Sequence, residues 1–165
     1  MGHPSGLPED THSRSTCGDC AWAHRTPNST LVCLAAAPSA TWDGPAIRPD
    51  DVSCAWFEPP VHCDPCGACC REAFDSVPLA SADDPTAERH PDFVQVADDG
   101  WRDLKRVPSP TGRGTRCAAL RGDGAQSPYR CVIYADRPSP CRDLMPNTPN
   151  CLFARRRVGL SQGTS

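Results

Sequence analysis

The stretch Cys63-Asp64-Pro65-Cys66-Gly67-Ala68-Cys69-Cys70 decides how this chain is read, because it places four thiols within eight residues. Packing alone has no use for such density. Cys69 and Cys70 are neighbours, with Cα atoms about 3.8 Å apart, less than the roughly 4.4–6.8 Å of an ordinary disulfide. An unstrained bridge between them is therefore not expected. Successive side chains also leave the backbone in different directions. The sequence thus predicts that the two thiolates serve two different centres, or that one of them is not a ligand. Thiolates at this spacing suit zinc or iron–sulfur clusters, both soft-metal chemistry.

Downstream lie Cys117, Cys131, Cys141 and Cys151. Residues 80–89 predict a short helix, Phe93–Val96 a strand with Gln95 facing water, and Asp98-Asp99-Gly100 a turn. Residues 101–106 predict one or two helical turns. Cys117–Leu120 and Cys131–Tyr134 read as two strands of a hairpin around Gly122-Asp123-Gly124. Pro138 and Pro140 stiffen the approach to Cys141, and Arg142 places a cation beside that thiolate. A final helix starts at Thr148 as N-cap with Pro149 at its first position, and stops at Gly159. Cys151, Ala154 and Val158 share one of its faces, so Cys151 should point inward as a ligand does. Asp75, Asp83, Asp84, Asp98 and Asp99 are read as capping and turn residues. Arg155-Arg156-Arg157 is read as a solvated helix face.

Upstream, Glu58-Pro59-Pro60 predicts a semi-rigid boundary. Before it stands a second thiol group, Cys17, Cys20, Cys33 and Cys54. A Cys-x-x-Cys turn lets two thiolates converge on one ion, and Gly18 eases that turn. Trp22, Trp42, Trp56 and Phe57 can build an apolar shell around such a centre. Residues 1–16 lack apolar periodicity and predict a disordered tail, with His3 and His12 in solvent. The domains expected are therefore a 1–16 tail, a 17–60 four-cysteine module and a 61–165 domain.

Composition agrees with a stapled fold rather than a large core. The apolar fraction is 38% against about 45–50% in ordinary domains, so the twelve cysteines must supply stability. The fold class predicted is a small, loop-rich α+β metalloprotein, its short helices and β-hairpins held by four-cysteine centres. No basic n-region with an apolar run opens the chain, and a cysteine-rich cytoplasmic chain favours metal over disulfides. The longest apolar run, Leu31–Ala37, is far short of a membrane span. Net charge is −3 with both signs interspersed, so neither nucleic acid nor membrane is an expected partner. A protein or redox partner is expected.

The second half resembles the YkgJ-type CxxCxxCC cysteine-cluster family, whose domain is described as zinc- or iron-chelating. The resemblance rests on Cys63-x-x-Cys66-Gly67-x-Cys69-Cys70-Arg71, Cys117-Ala118-Ala119-Leu120, and Cys131-Val132-Ile133-Tyr134 through Arg137-Pro138-x-x-Cys141-Arg142. Cys151-x-x-Ala154-Arg155 through Leu160 extends it, so that it covers about 63–160. It implies metal binding and assigns no reaction. Residues 17–58 resemble, more weakly, the cluster-binding region of high-potential iron–sulfur proteins, which implies a 4Fe–4S cluster.

Two functions follow. One is an iron–sulfur protein, 4Fe–4S in type, with an electron-transfer or redox role. Cys63, Cys66 and Cys69 would take Cys141 as their fourth ligand, while Cys70, Cys117, Cys131 and Cys151 form another centre. The other is a non-catalytic adaptor with structural Zn2+ sites, since zinc also takes four thiolates. Arg71, Arg137 and Arg142 are expected to tune the thiolates without binding metal. No catalytic residue is identified: His24 and His62 lie near cysteines but in no catalytic motif, although His62 could replace a Cys as ligand.

Overall fold

The computed structural model describes residues 2–10, 14–37, 43–79 and 84–161. Among the described residues the strands are short and form two-stranded antiparallel sheets, as expected of a chain with little apolar sequence. The chain divides into two compact units, Met1–Val61 with Pro146–Ser165, and His62–Met145. The sequence placed its boundary beside Val61 but kept the C-terminal helix with the second domain. The structure puts that helix in the first unit.

In the first unit, β1 (Ala23–Arg25) pairs with β2 (Leu31–Cys33), Ala23 opposite Cys33. The turn between them carries Ser29 at φ 63°. Residues 2–10 are not a loose tail: Glu9 bridges to Cys54, and His3 is buried. The core gathers Trp22, Val32, Leu34, Ile47 and Leu152, with Trp56 and Phe153 packed against it. Trp42 and His12 lie outside the described residues.

The terminal helix, α4 (Pro149–Arg157), is the last element of the chain. It forms where the sequence predicts. The Thr148 hydroxyl oxygen accepts the Cys151 N–H at 3.5 Å, and Pro149 occupies the first helical position. The helix ends as Gly159 turns left-handed at φ 72°. There the Gly159 N–H reaches the Arg156 carbonyl and the Leu160 N–H the Arg155 carbonyl, closing a Schellman cap.

The arginines of α4 are not the solvated face read from the sequence. Arg155 pairs with the buried Glu58 at 2.6 Å, and the other Glu58 oxygen accepts the Trp22 indole N–H at 3.2 Å. Arg156 lies 4.1 Å over the Trp22 ring and donates to the Ala35 carbonyl at 2.9 Å. Phe153 meets Trp22 edge-on at 5.8 Å. Two charges and an indole thus satisfy one another in a largely buried place. Removing one partner strands the others, at a cost of about 3–5 kcal/mol. Glu58→Ala should therefore lower the urea midpoint by that much stability, while Glu58→Gln, which keeps a carbonyl acceptor for the indole, should lower it less; equal midpoints in all three proteins would refute the role given to the pair.

The second unit begins with α1 (Cys63–Cys66), then Gly67 and a single 3-10 turn over Ala68–Cys70. Next comes α2 (Pro85–Arg89), whose Asp84 side chain caps the Thr86 N–H at 2.8 Å; Asp83 lies outside the described residues. Three hairpins follow: β3 (Val94–Val96) with β4 (Arg102–Leu104), β5 (Arg106–Pro108) with β6 (Thr115–Cys117), and β7 (Leu120–Arg121) with β8 (Arg130–Cys131). A short α3 (Ser139–Asp143) closes the unit.

Residues 101–106, expected as helical turns, are β4 and the start of β5. Gly100 at φ 83° folds the chain back after β3, and buried Leu104 then faces the core beside Leu79 and Leu120. Tertiary pairing overrides local preference here. The expected hairpin of Cys117–Leu120 with Cys131–Tyr134 is real only at Leu120 opposite Cys131. Cys117 belongs to the preceding hairpin, opposite Arg106. Among the described residues no helix is long and apolar enough to cross a membrane.

Candidate metal centres

None of the twelve cysteines is in a disulfide. In the first unit, Cys17 and Cys20 flank a 3-10 turn anchored by the Gly18 N–H to the Pro49 carbonyl at 2.9 Å. Cys33 ends β2 at a crowded spot: a Cβ on Gly44 would lie 2.2 Å from the Cys33 carbonyl oxygen, so only glycine passes there. Cys54 is held by its bridge to Glu9. Cys17, Cys33 and Cys54 are buried and Cys20 partly so. Burial, and then the charges of Cys33, Cys20 and Cys54, push the Cys17 thiol up to about 12. Burial also raises Cys20 and Cys54, each of which feels Cys33 as well. Four thiols from three separate segments therefore share one electrostatic neighbourhood. Arg156, whose pKa burial lowers, feels the Cys33 charge, so a cation stands beside the group. Cys151 is buried on α4 in this unit, and not among the thiols of the second unit as the sequence grouping had it.

The second unit brings Cys69 and Cys70, on their 3-10 turn, together with Cys117 on β6, Cys131 on β8 and Cys141 on α3. Cys141 is pushed up to about 12 by burial and then by Cys117, Cys69 and Cys131. Cys117 and Cys131 are raised chiefly by burial. The turn is positioned from both sides. Gly67, left-handed at φ 61°, caps α1 and starts the next turn, and a Cβ there would come within 2.8 Å of the Tyr129 Cβ. The Arg106 guanidinium donates to the Arg71 carbonyl at 2.6 Å and the Thr115 carbonyl at 2.7 Å, tying the end of the turn to the hairpin that carries Cys117. Arg71 itself lies 5.1 Å over the Tyr129 ring. Cys63 and Cys66 sit half-buried on α1, and His62, exposed, precedes that helix.

The premise that Cys69 and Cys70 diverge is not what the structure has: their sulfurs lie 3.9 Å apart. At that distance one thiol can donate to the other. Cys70 is raised by that bond and by burial, while the same bond brings Cys69 down to about 7, with burial opposing and Arg137 assisting. Arg137 also favours the thiolates of Cys131 and Cys141. It is held by stacking 3.6 Å from the Tyr134 ring. Arg142, which the sequence placed beside Cys141 as its cation, instead donates to the Arg137 carbonyl. Tyr134–Asp136 is fixed in turn by α2 and the His90 that follows it, through Thr86 to the Asp136 carbonyl and His90 and Arg89 to its carboxylate. These two bonds hold the Asp136 carboxyl below its usual range.

Among the described residues no group of three or more His, Cys, Asp or Glu side chains is arranged to hold a metal ion. The structure thus shows clustered thiols rather than formed centres. The donor set nonetheless fits a soft metal: thiolates alone, largely buried, and in one pair correctly spaced. With metal–sulfur bonds of about 2.3 Å, the edge of a tetrahedral site is about 3.8 Å, close to the Cys69–Cys70 separation.

Two outcomes follow for the metal-free protein. The thiolate is the reactive form, so at pH 8 Cys69 should be alkylated first and Cys17, Cys70 and Cys141 last, roughly a hundredfold or more slower; mass spectrometry of timed iodoacetamide reactions reads the order. Gly67→Ala forces a side chain into a left-handed residue and against Tyr129, and should cost about 2–4 kcal/mol by urea unfolding.

Two thiol-rich units of short helices and hairpins define a cysteine-cluster protein. Residues 62–156, more than half of the chain, match the family model CxxCxxCC, described as a putative zinc- or iron-chelating domain. The chain belongs to that family. Searches of curated proteins and of solved structures returned no match.

Proposed function

We propose that this is a non-catalytic metalloprotein with one thiolate centre in each unit, and that the centre of the second unit is a single four-coordinate ion, zinc in the first instance. The observation that carries this is the 3.9 Å separation of the Cys69 and Cys70 sulfurs, which suits two ligands of one ion better than ligands of two irons in a cluster. Cys70 feels Cys69, Cys117 and Cys141 most strongly among the thiols, and these four would hold the ion. Cys63, Cys66 and Cys131 complete the thiol set of the unit. A bound zinc would staple the 3-10 turn, a hairpin and α3 into one fold. Thiolate-only, closed donor sets are those of structural rather than catalytic sites. The partner expected is another protein.

A second reading is favoured in the first unit. There Cys17, Cys20, Cys33 and Cys54 would hold an iron–sulfur cluster of 4Fe–4S type with an electron-transfer role. The buried aromatic surroundings of Trp22 and the Arg156 cation beside Cys33 are what such a cluster needs to change charge away from water.

Protein purified without oxygen tests both. Zinc without colour or acid-labile sulfide supports structural sites throughout; brown protein with iron and sulfide supports the cluster. Cys69→Ser and Cys70→Ser should each remove the same metal from the second unit and leave that of the first. Loss of different metals in the two variants would return the pair to two centres.

A further inference from the structure

His3 stands where the sequence predicts only a tail. It is 4% exposed, and its Nε2 lies 3.2 Å from the Cys17 sulfur. On the other side of the ring, Nδ1 accepts the Ser5 backbone N–H at 3.1 Å, and the Ser5 hydroxyl is 2.5 Å away. A backbone N–H can only donate, so Nδ1 must offer its lone pair. The Ser5 oxygen accepts the Leu7 N–H at 3.4 Å, which leaves the Ser5 hydroxyl proton free to point at Nδ1 as well. With Nδ1 an acceptor, the proton of the neutral ring sits on Nε2 and is aimed at sulfur.

We propose that His3 is a fixed N–H donor to the Cys17 sulfur and the positioning residue of the first unit's centre. This rests on the reading that Cys17 is a metal-bound thiolate. Four thiolates around a divalent ion leave about two negative charges in a buried place. The His3 N–H draws charge from one sulfur, as Arg156 does near Cys33, and so protects that ligand from electrophiles and, in a redox centre, favours the reduced state. Two other roles fit worse. As a ligand, His3 would need its proton on Nδ1, facing the Ser5 N–H donor. As the base of a Cys–His nucleophile it would serve a sulfur only 4% exposed, beyond the reach of a substrate.

The test uses the full chain. In protein labelled with 15N-histidine, with zinc or cadmium bound and with metal removed, long-range proton–nitrogen correlations read the tautomer of His3. The Nε2–H form without cadmium–nitrogen coupling is expected. An Nδ1–H form, a rapidly exchanging ring, or cadmium coupling to Nε2 overturns the proposal. In metal-loaded protein, His3→Phe should keep its metal content while Cys17 is alkylated about tenfold faster, and His3→Gln, which retains an N–H, should recover part of the difference. An unchanged rate in His3→Phe overturns the proposal; should that variant not fold, the wild-type tautomer decides alone. Wild-type protein that binds no metal in the first unit refutes the metal reading, while the tautomer in the metal-free chain still decides the hydrogen bond.

Discussion

Sulfur atoms crowded out of water cannot all carry charge unless something positive joins them. That constraint organises this protein. Burial and mutual repulsion push Cys17 and Cys141 up to about 12, and Cys20, Cys54, Cys117 and Cys131 are raised as well. Without metal these thiols stay protonated and inert. A bound cation would invert the balance, because the repulsion that keeps protons on would become attraction to a shared centre. The backbone brings the sulfurs together from segments far apart in sequence, using short strands and single turns that have little stability of their own.

Each unit supplies positive groups by a different device. In the first, Arg156 lies half-buried over Trp22 and is held by the Ala35 carbonyl, while Arg155 and Glu58 neutralise each other alongside. In the second, Arg137 stacks on Tyr134, and the Asp136 network anchors that turn to α2. Arginine suits both places because its flat, permanently charged head can stack on a ring and still donate from its edge.

Much of this was legible in the sequence wherever the signal was local. The cap, proline and glycine of α4 are chemistry within one helix, and they predict its ends. The turn at Gly18 between Cys17 and Cys20, and the short β3, were equally readable. What depends on distant partners was not. Residues 101–106 have no pattern of their own, and only the hairpin turn at Gly100 makes them strands. Arg155 and Arg156 look like surface cations until Glu58 and Trp22 are folded beneath them. His3 looked like solvent because one histidine in a polar stretch has no period to betray burial. The rule that adjacent side chains diverge misled at Cys69 and Cys70, because a 3-10 turn with flexible χ angles lets both sulfurs swing to one side. The thiol inventory was plain from the outset, but its partition was not, since Cys151 shows in sequence nothing of the unit it joins.

That partition makes the second unit an insertion: the chain leaves the first unit at Val61 and re-enters it at Pro146. During synthesis the order of completion is then reversed relative to the order of appearance. All of the second unit emerges before the helix that the first unit lacks, so Trp22 and its neighbours must wait, partly uncovered, through some eighty residues of elongation. A nascent chain in that interval leaves open to water the face of Trp22 that Leu152 and Phe153 later cover.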